Sequence, residues 1–153
     1  MNPQTTAAQS CDPARVVAEA QLWLGTPYAH QASLAGIGCD CLGLIRGVWR
    51  SLNGPEPARM PAYTPFWAET GSGDPLLAMA GRHLLPAGPG LLAPGEVLLF
   101  RWRDGLPAKH CGIATGPGRF IHAHDGAAVA EVALLPAWRR RLAGRFLFPD
   151  RRS

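Results

Sequence analysis

Two cysteines stand on either side of one aspartate in the stretch GCDCLG, which spans residues 38–43. This pattern could hold a metal, form a redox pair or present a single nucleophile. Asp40 is a suitable helix N-cap, so we predict a helix that begins at Cys41. Free backbone N–H groups and the helix dipole at that position favour a thiolate, which lowers the thiol pKa below its usual value. Cys41 is therefore the candidate nucleophile.

The residues near Cys41 are consistent with this role. Gly43 leaves the first turn of the predicted helix without a side chain, so a substrate backbone could approach. Cys39 precedes the cap in a glycine-rich turn, and we expect it to be a small buried thiol. The same expectation applies to Cys11 and Cys111, the second of which lies on the core side of a predicted strand.

A nucleophilic cysteine needs a base, and His110 and His122 are the histidines inside predicted strands. In an antiparallel pair they share a face only if the connecting loop has an odd number of residues, as in a loop formed by residues 116–118. One imidazole could then take the proton of Cys41 while the other holds the first in position. His124 precedes an Asp-Gly turn, so we expect it to be exposed, with a role at the mouth of the site left open.

Zinc binding is the main alternative. The single residue between Cys39 and Cys41 is a shorter spacer than the about two to four residues usual in zinc sites. His110 and Cys111 are strand neighbours that should point to opposite faces, so one ion could not easily bind both. The usual redox pair also has a longer spacer. We therefore predict a site without metal, although the chain contains several potential ligands: Cys39, Cys41, His110, Cys111, His122 and His124.

The composition predicts one globular domain. The chain has 153 residues, 47% of them hydrophobic, which is enough for one sizeable core, with residues 1–11 as a flexible or docking arm. The formal net charge is only +4, and no DNA-binding motif accompanies it, so we do not predict a nucleic-acid partner. A C-terminal group of arginines could instead face an anionic polymer or an acidic neighbour: Arg139, Arg140, Arg141, Arg145, Arg151 and Arg152.

The N-terminal stretch lacks the positive and apolar segments of a secretory signal, and no apolar run approaches the ~20 residues of a membrane helix. We therefore expect synthesis as a soluble cytoplasmic chain without membrane insertion. In that compartment the four cysteines are expected to be free thiols, ligands or a catalytic group rather than a disulfide framework.

The first half of the chain has the pattern of helices. A first helix is expected to begin after the N-cap Asp12 and to stop at Gly25, and the helix that begins at Cys41 should end at Asn53. The buried stripe of the first helix is predicted to consist of Val16, Val17, Ala20, Trp23 and Leu24.

A proline-rich segment follows. Residues 55–75 are predicted to form an extended surface excursion, and a short helix should run from Pro75 to about Leu85. The aromatic residues expected to anchor the excursion are Tyr63, Phe66 and Trp67.

The second half changes to the pattern of strands. Residues 95–103, 109–115, 119–124 and 127–134 are short β-rich runs separated by turn residues, which indicates an antiparallel meander. Residues 139–149 could add a last strand. Helices followed by an antiparallel sheet predict an α+β fold.

These motifs occur in an order that resembles the NlpC-type cell-wall cysteine peptidases, which have a papain-like fold. The resemblance rests on the segments GTPYAHQAS, GCDCLGLIRGVW, PGEVLLFRW, KHCGIAT and FIHAH, and it extends from about Val16 to Phe148. In detail the chain looks most like the peptidases of the tail modules of phages and of phage-derived gene transfer agents. Leu42 and the stretch AHQAS depart from residues often found in the family, which affects the substrate pocket.

The resemblance implies a role for each site residue. Cys41 would be the nucleophile, His110 the general base and His122 the residue that orients the base. Tyr28 would help the backbone N–H of Cys41 to hold the oxyanion. Asp40 would both cap the helix and meet the ammonium group of the substrate.

The resemblance also implies hydrolysis, without a cofactor, of an amide in peptidoglycan stem peptides or cross-links. A phage-like tail would carry the enzyme to the periplasm and wall of a target cell, so tail hub or baseplate proteins are the expected partners. The arginine-rich C-terminus would be the docking surface. Two alternatives stay open: an amidase or acyltransferase on the same scaffold, and a catalytically silent structural tail protein.

Overall fold

A computed structural model describes residues 9–57 and 73–152 of the chain. In chain order the elements are α1 (Pro13–Gln21), β1 (Ser33–Leu34), β2 (Gly38–Cys39), α2 (Cys41–Asn53), α3 (Pro75–His83), β3 (Leu85–Pro86), β4 (Val97–Phe100), β5 (His110–Gly116), β6 (Arg119–His122), β7 (Ala130–Ala133), α4 (Pro136–Arg140) and β8 (Leu142–Leu147). β1 and β2 form a small antiparallel hairpin, and the other strands form one antiparallel sheet in the order β3-β8-β4-β5-β6-β7. The α+β prediction is confirmed.

Helix α1 begins where the sequence predicts. The Asp12 carboxylate accepts a hydrogen bond from the Ala14 N–H at 3.2 Å and so caps the helix. Leu24 was predicted to be buried, but its side chain is 43% exposed. The reason is that α1 ends at Gln21, so Leu24 no longer follows the helical phase. The rest of the predicted stripe faces the core. Val17 is half-buried, and the buried residues are Val16, Ala20 and Trp23.

Helix α2 begins and ends at the predicted residues, and Gly54 terminates it with a φ of 84°. Gly47 lies where Trp23, two residues beyond the end of α1, packs on α2, since a Cβ at Gly47 would collide with the Trp23 indole. The apolar face of α2 contributes three fully buried residues to the core: Leu44, Val48 and Leu52. The helix is therefore held tightly between α1 and the sheet.

The sheet has a core on each face. Strands β4 to β7 form the predicted meander, and β8 returns to pair with the other side of β4. The larger apolar cluster includes the inner faces of α1 and α2. A smaller cluster forms around Phe100 and Phe120, and Trp138 of α4 packs against it. Strand β4 is consequently buried along its whole length, which gives the neighbouring strand β5 a rigid support.

The turn between β5 and β6 differs from the prediction. It contains two residues, Pro117 and Gly118, instead of an odd number. The pairing register shifts between Ala114 and Gly116, which is a β-bulge that adds an unpaired residue to β5. The bulge restores the parity that a two-residue turn alone would have lost, so the two strand histidines lie on the same face.

The start of the described chain is held against its end. The Cys11 N–H donates a hydrogen bond to the Phe148 carbonyl at 2.9 Å, so the predicted N-terminal arm does not extend to residues 9–11. The remaining predictions for the arm and for the proline-rich excursion fall outside the described residues: residues 1–8, Tyr63, Phe66 and Trp67.

Four short elements were not predicted. Strands β1, β2 and β3 have two residues each and α4 has five, which is too short for periodicity to reveal them. The helix that begins at Pro75 ends at His83 rather than at Leu85, because Leu85 pairs with Leu147 in the sheet. Across residues 9–57 and 73–152, none of the helices has the length and apolar character needed to cross a membrane.

Candidate active site

The candidate nucleophile stands on a helix terminus that Asp40 holds in place. Asp40 is buried, and its Oδ1 accepts the Gly43 N–H at 2.7 Å, which is the predicted N-cap interaction. Its Oδ2 accepts the Gln31 N–H at 2.7 Å, so the preceding loop is tied to the same carboxylate. Cys41 therefore begins α2 at a fixed position. The contact of Asp40 with a substrate ammonium group stays a prediction.

Gly43 is buried, which corrects the expectation that it leaves an open path for substrate. A Cβ at this position would collide with the carbonyl oxygen of Ala32. The Gly43 carbonyl also accepts a hydrogen bond of 2.6 Å from the Ser33 hydroxyl at the start of β1. Glycine is needed here because the β1–β2 hairpin packs directly on the first turn of α2.

Cys41 is half-buried as a residue, and its sulfur has two hydrogen-bonding neighbours, Cys111 and His110. The hydrogen bond with the thiol of Cys111 is the largest cause that lowers the Cys41 pKa well below its usual value. Burial opposes this shift, whereas His110 reinforces it with both a hydrogen bond and its charge. The negative charge of Asp40 has a smaller, opposing effect. The arrangement therefore favours a thiolate at Cys41.

Cys111 is a contact of the nucleophile that the sequence interpretation missed. Its burial was expected, and its thiol belongs to the apolar cluster beneath α2. The hydrogen bond with Cys41, burial and the Cys41 charge all raise the Cys111 pKa well above its usual value. Cys111 thus stays protonated and donates to the thiolate. Side chains of neighbouring residues on a strand point to opposite faces, and for this reason His110 and Cys111 were not expected to share a partner. Both nevertheless form hydrogen bonds with the sulfur of Cys41.

The two predicted histidines are in direct contact. His110 Nε2 lies 2.8 Å from His122 Nδ1, and both side chains are buried. Burial lowers the pKa of His122 to about 3, and the charges of His110 and His124 act in the same direction. His122 is therefore neutral at pH 7, and its Nδ1 can accept a hydrogen bond from the Nε2–H of His110. This leaves Nδ1 of His110 for the hydrogen bond with Cys41.

Gly112 provides the space for the histidine pair. A Cβ at Gly112 would lie 2.8 Å from the carbonyl oxygen of Ile121 and 3.2 Å from the Cβ of His122. Any side chain there would push β6 away from β5 and move His122. The requirement follows from the register in which β5 pairs with β6, so the residues next to Gly112 contain no signal for it.

Aromatic rings surround His110 on the sheet face. The Trp102 ring stacks at 5.5 Å between centroids with an interplanar angle of 18°, and Trp138 stacks at 5.4 Å and 30°. His124 meets His110 edge-on at 5.6 Å and is half-buried, not exposed as expected. Phe100 pairs with His110, and residues two apart along a strand point to the same face. The position of Trp102 next to His110 could therefore have been predicted from the sequence. No comparable signal points to Trp138, which arrives from α4.

Tyr28 lies at the edge of the same site. It is half-buried, and its backbone forms an isolated parallel bridge with Cys39. Burial raises the Tyr28 pKa to about 12, and the negative charges of Cys41 and Asp40 contribute. The hydroxyl consequently remains protonated next to the nucleophile and is able to donate a hydrogen bond. The predicted oxyanion role stays a prediction.

The remaining cysteines are distinct from the nucleophile. Cys39 is fully buried, and burial raises its pKa to about 12, with further contributions from Asp40 and Cys41. Cys11 is also buried and donates a hydrogen bond from its thiol to the Pro149 carbonyl at 3.3 Å. In the part of the chain that the structure describes, no group of three His, Cys, Asp or Glu side chains is arranged to hold a metal ion.

The fold is that of NlpC/P60 proteins. A Bacillus cereus NlpC/P60 family protein superposes with a TM-score of 0.61 at 19% identity, over 90% of this chain and 40% of its own. The NlpC/p60 domain of the peptidoglycan hydrolase SagA superposes with a TM-score of 0.55 at 23% identity, over 90% of this chain and 98% of that domain. The predicted papain-like α+β fold is confirmed.

A sequence relative is found among curated proteins. The gamma-DL-glutamyl hydrolase of Bacillus subtilis (strain 168) is 32% identical over 108 residues, which are 71% of this chain. These residues represent 22% of the relative, so the chain spans about a fifth of its length. No protein-family model matches the chain.

Proposed function

We propose that the chain is a cysteine hydrolase that cleaves an amide bond in peptidoglycan, as an endopeptidase acting on stem peptides or cross-links. The observation that carries this proposal is the contact of Cys41 with His110 and of His110 with His122, which is what an activated thiolate requires. The fold shared with NlpC/P60 proteins supports the reaction class. The activities named for SagA and for the Bacillus subtilis relative support the substrate class.

The proposed reaction has two steps. The Cys41 thiolate attacks the carbonyl carbon, and the C–N bond breaks as His110 gives its Nδ1 proton to the leaving amine. Water then attacks the thioester while His110 accepts a proton, and the C–S bond breaks to release the acid and the thiolate. His122 accepts the Nε2–H of His110 in both steps and so holds the ring in one orientation.

Tyr28 completes the proposed site. During each step the carbonyl oxygen becomes an oxyanion, which needs donors that are already in place. The backbone N–H of Cys41 at the helix N-terminus is one candidate donor. The second candidate donor is the hydroxyl of Tyr28, whose pKa of about 12 keeps it protonated at neutral pH.

Digestion of purified peptidoglycan, followed by mass spectrometry of the muropeptides, tests this proposal. The wild-type chain should create new amino termini within the stem peptide or cross-bridge. Cys41→Ala should lower this release by about 10³-fold or more, whereas Cys39→Ala should retain it, because Cys39 is a fully buried thiol beside the site. Equal digestion by wild type and Cys41→Ala would refute the proposal.

The same experiment separates the two alternatives. Release of the whole stem peptide from muramic acid would indicate an amidase instead of an endopeptidase. A structural tail protein would release nothing as wild type, and particles carrying Cys41→Ala would keep their full activity.

We further propose that a phage-like tail carries the chain to the periplasm and wall of a target cell. The sequence resemblance to tail-module peptidases supports this delivery route. Arg145 does not belong to the proposed docking surface, because its guanidinium pairs with the Glu96 carboxylate at 2.7 Å. The arginines of the C-terminal group that are clearly exposed are Arg139, Arg140, Arg151 and Arg152.

A pull-down with tail hub and baseplate proteins tests the delivery route. Wild type should retain at least one of these proteins, and replacement of the four exposed arginines by glutamine should weaken that retention. An empty wild-type pull-down would contradict the proposed partners without affecting the proposed chemistry.

A further inference from the structure

Two indoles lie against His110, and no step of the proposed reaction involves either of them. Trp102 follows β4, and Trp138 belongs to α4. Their ring centroids lie 5.5 Å and 5.4 Å from the His110 centroid and 5.9 Å from each other. Because these three distances are nearly equal, the indoles lie side by side against the imidazole rather than on opposite faces of it. Three separate parts of the chain therefore build one ring cluster at the candidate base.

The stacking restrains a movement that the histidine pair alone allows. The contact of 2.8 Å with His122 fixes the position of His110 Nε2, but a single hydrogen bond tolerates a tilt of the ring. The rings of Trp102 and Trp138 lie within 18° and 30° of the imidazole plane, which is the offset stacking that aromatic pairs prefer. The two indoles therefore resist this tilt and keep Nδ1 of His110 in one direction.

Trp138 also contacts the second imidazole. Its ring meets His122 edge-on at 5.4 Å between centroids and an angle of 90°. It packs edge-on against two fully buried rings as well, Phe100 at 5.0 Å and Phe120 at 5.5 Å. Helix α4 has no buried residue, and Trp138 is the side chain with which it joins the smaller apolar cluster. Trp138 thus connects both histidines to a rigid part of the core.

The indoles also suit the charge that His110 acquires during the proposed reaction. Each time the imidazole accepts a proton it becomes a cation. An indole stabilises a cation that lies within about 6 Å of its ring centroid, and both tryptophans meet this distance. Lys109 Nζ lies 5.9 Å from the Trp102 centroid, so Trp102 serves two cations. We therefore expect Trp138 to have the larger effect on His110.

We propose that Trp102 and Trp138 are positioning residues for hydrolysis, which fix the plane of the His110 ring and stabilise its protonated form. Trp138 additionally locates His122. This inference rests on the proposed function, since it concerns the base of that reaction. Both tryptophans act through the imidazoles and not through contact with the substrate.

Steady-state kinetics of the full chain on a soluble muropeptide test this role. Trp138→Leu should lower kcat by about 100-fold, because the imidazoles are no longer held in the reactive orientation. Trp102→Leu should lower kcat by about tenfold. KM should stay unchanged in both variants, since the lost interactions stabilise the transition state and not the bound substrate. A raised KM at the wild-type kcat would mean that the tryptophans bind substrate, and it would overturn the proposal.

Replacement by another aromatic residue separates stacking from general packing. Trp138→Phe keeps an aromatic ring and should lose distinctly less kcat than Trp138→Leu. Trp49→Phe is the matched control and should keep the wild-type kcat, because Trp49 packs on Phe148 in the larger apolar cluster. Equal losses in Trp138→Phe and Trp138→Leu would contradict a role for stacking. If Trp138→Leu fails to fold, the wild-type kcat in Trp102→Leu would still overturn the proposal.

The NMR signals of the histidine rings provide a readout that does not depend on hydrolysis. Ring currents of the indoles shift the carbon-bound protons of the imidazoles, and His110→Gln identifies the signals of His110. Trp102→Leu should move the His110 signals, and Trp138→Leu should move those of both His110 and His122. Trp49→Phe should move neither. Unchanged His110 signals in both leucine variants would overturn the proposed stacking.

The two readouts distinguish failure of this inference from failure of the proposed function. If wild type cleaves the muropeptide and both leucine variants keep its kcat, the positioning role fails and the proposed function stands. If wild type cleaves nothing, the proposed function fails and the role in hydrolysis fails with it, while the NMR signals still decide whether the indoles hold the imidazole.

Discussion

The N-terminus of α2 and the face of β5 and β6 supply opposite halves of the candidate site, and interactions of different range build them. The position of Cys41 depends on a near neighbour in sequence, because the Asp40 carboxylate caps the helix by accepting the Gly43 N–H three residues further on. The contact of His110 with His122 depends on a β-bulge and on the register in which β5 pairs with β6. The first half is a local structure, whereas the second is a product of packing.

This difference predicts different consequences of mutation. Changes at the helix terminus should act first on stability, because the cap and the hairpin hold α2 in place. Changes on the sheet face should act first on catalysis, since the rigid β4 support preserves the fold while the imidazoles move. Each of the following experiments compares one half with the other or with a matched control.

The largest effect is expected for removal of the base. His110→Gln should lower hydrolysis by about 10³-fold, because it removes proton transfer to the leaving amine. His83→Gln is the control, since this residue lies at the end of α3 and outside the histidine pair. Muropeptide release by both variants measures the effect, and a loss of less than about tenfold for His110→Gln would contradict its role as the base.

The second effect concerns stability at the helix terminus. Gly43→Ala should lower the free energy of unfolding by about 3 kcal/mol, because the new methyl group collides with the Ala32 carbonyl. Gly81→Ala in α3 is the control, since its Cβ would meet nothing within 4 Å. It should leave stability unchanged or raise it by up to about 1 kcal/mol. Urea unfolding of both variants measures the difference, and equal stabilities would refute the close packing.

The third effect is the counterpart on the sheet face. Gly112→Ala should lower activity by about 100-fold while reducing stability by only about 1–2 kcal/mol, because the added methyl displaces His122. Gly116→Ala is the matched control on the same strand, with open space around the new Cβ. Activity and urea unfolding should be measured together. A loss of stability without a loss of activity would remove the contrast between the two halves.

The fourth effect is a pH dependence of stability that comes from His122. The unfolded chain binds a proton at this residue below about pH 6.5, whereas the folded chain does so only near pH 3. Between these values the unfolded state binds more protons than the folded state. The free energy of unfolding therefore rises as pH rises and decreases as pH falls. The expected contribution is about 1.4 kcal/mol per pH unit.

Unfolding titrations of wild type and His122→Gln between pH 3 and about pH 6.5 measure this contribution. The wild type should show the steeper slope, by about one proton. Parallel slopes would mean that His122 is not held neutral in the folded chain.

The smallest perturbation compares two cysteines without any mutation. The Cys41 pKa is lowered and the Cys39 pKa is raised to about 12, so iodoacetamide at pH 7 should label Cys41 and spare Cys39. The Cys41 rate should stay nearly constant as pH falls from 9 to 7, where an ordinary thiol with a pKa near 9 loses reactivity steadily. If the labelling rate of Cys41 falls between pH 9 and pH 7 as steeply as that of an ordinary thiol, Cys41 is not a thiolate in this range.

The sequence predicted the helix-terminus half almost completely. Asp40 followed by an apolar helical period is a signal contained within a few residues, so the start of α2 at Cys41 could be predicted. The reason for glycine at Gly43 could not, because the Ala32 carbonyl reaches it only after the hairpin folds back. The contact between His110 and His122 was predicted from a loop with an odd number of residues. The predicted loop was wrong, because a two-residue turn and a β-bulge bring the histidines to the same face.

Alone, the sequence determined the elements whose signals are local: the capped helices, the β-rich meander and the pair of histidines with matching parity. Only the tertiary structure decided that Cys111 contacts the nucleophile and that Trp138 covers His110. Capping and periodicity act within a few residues along the chain. Contacts between separate elements depend instead on strand register, bulges and close approach, which arise only when the whole core packs.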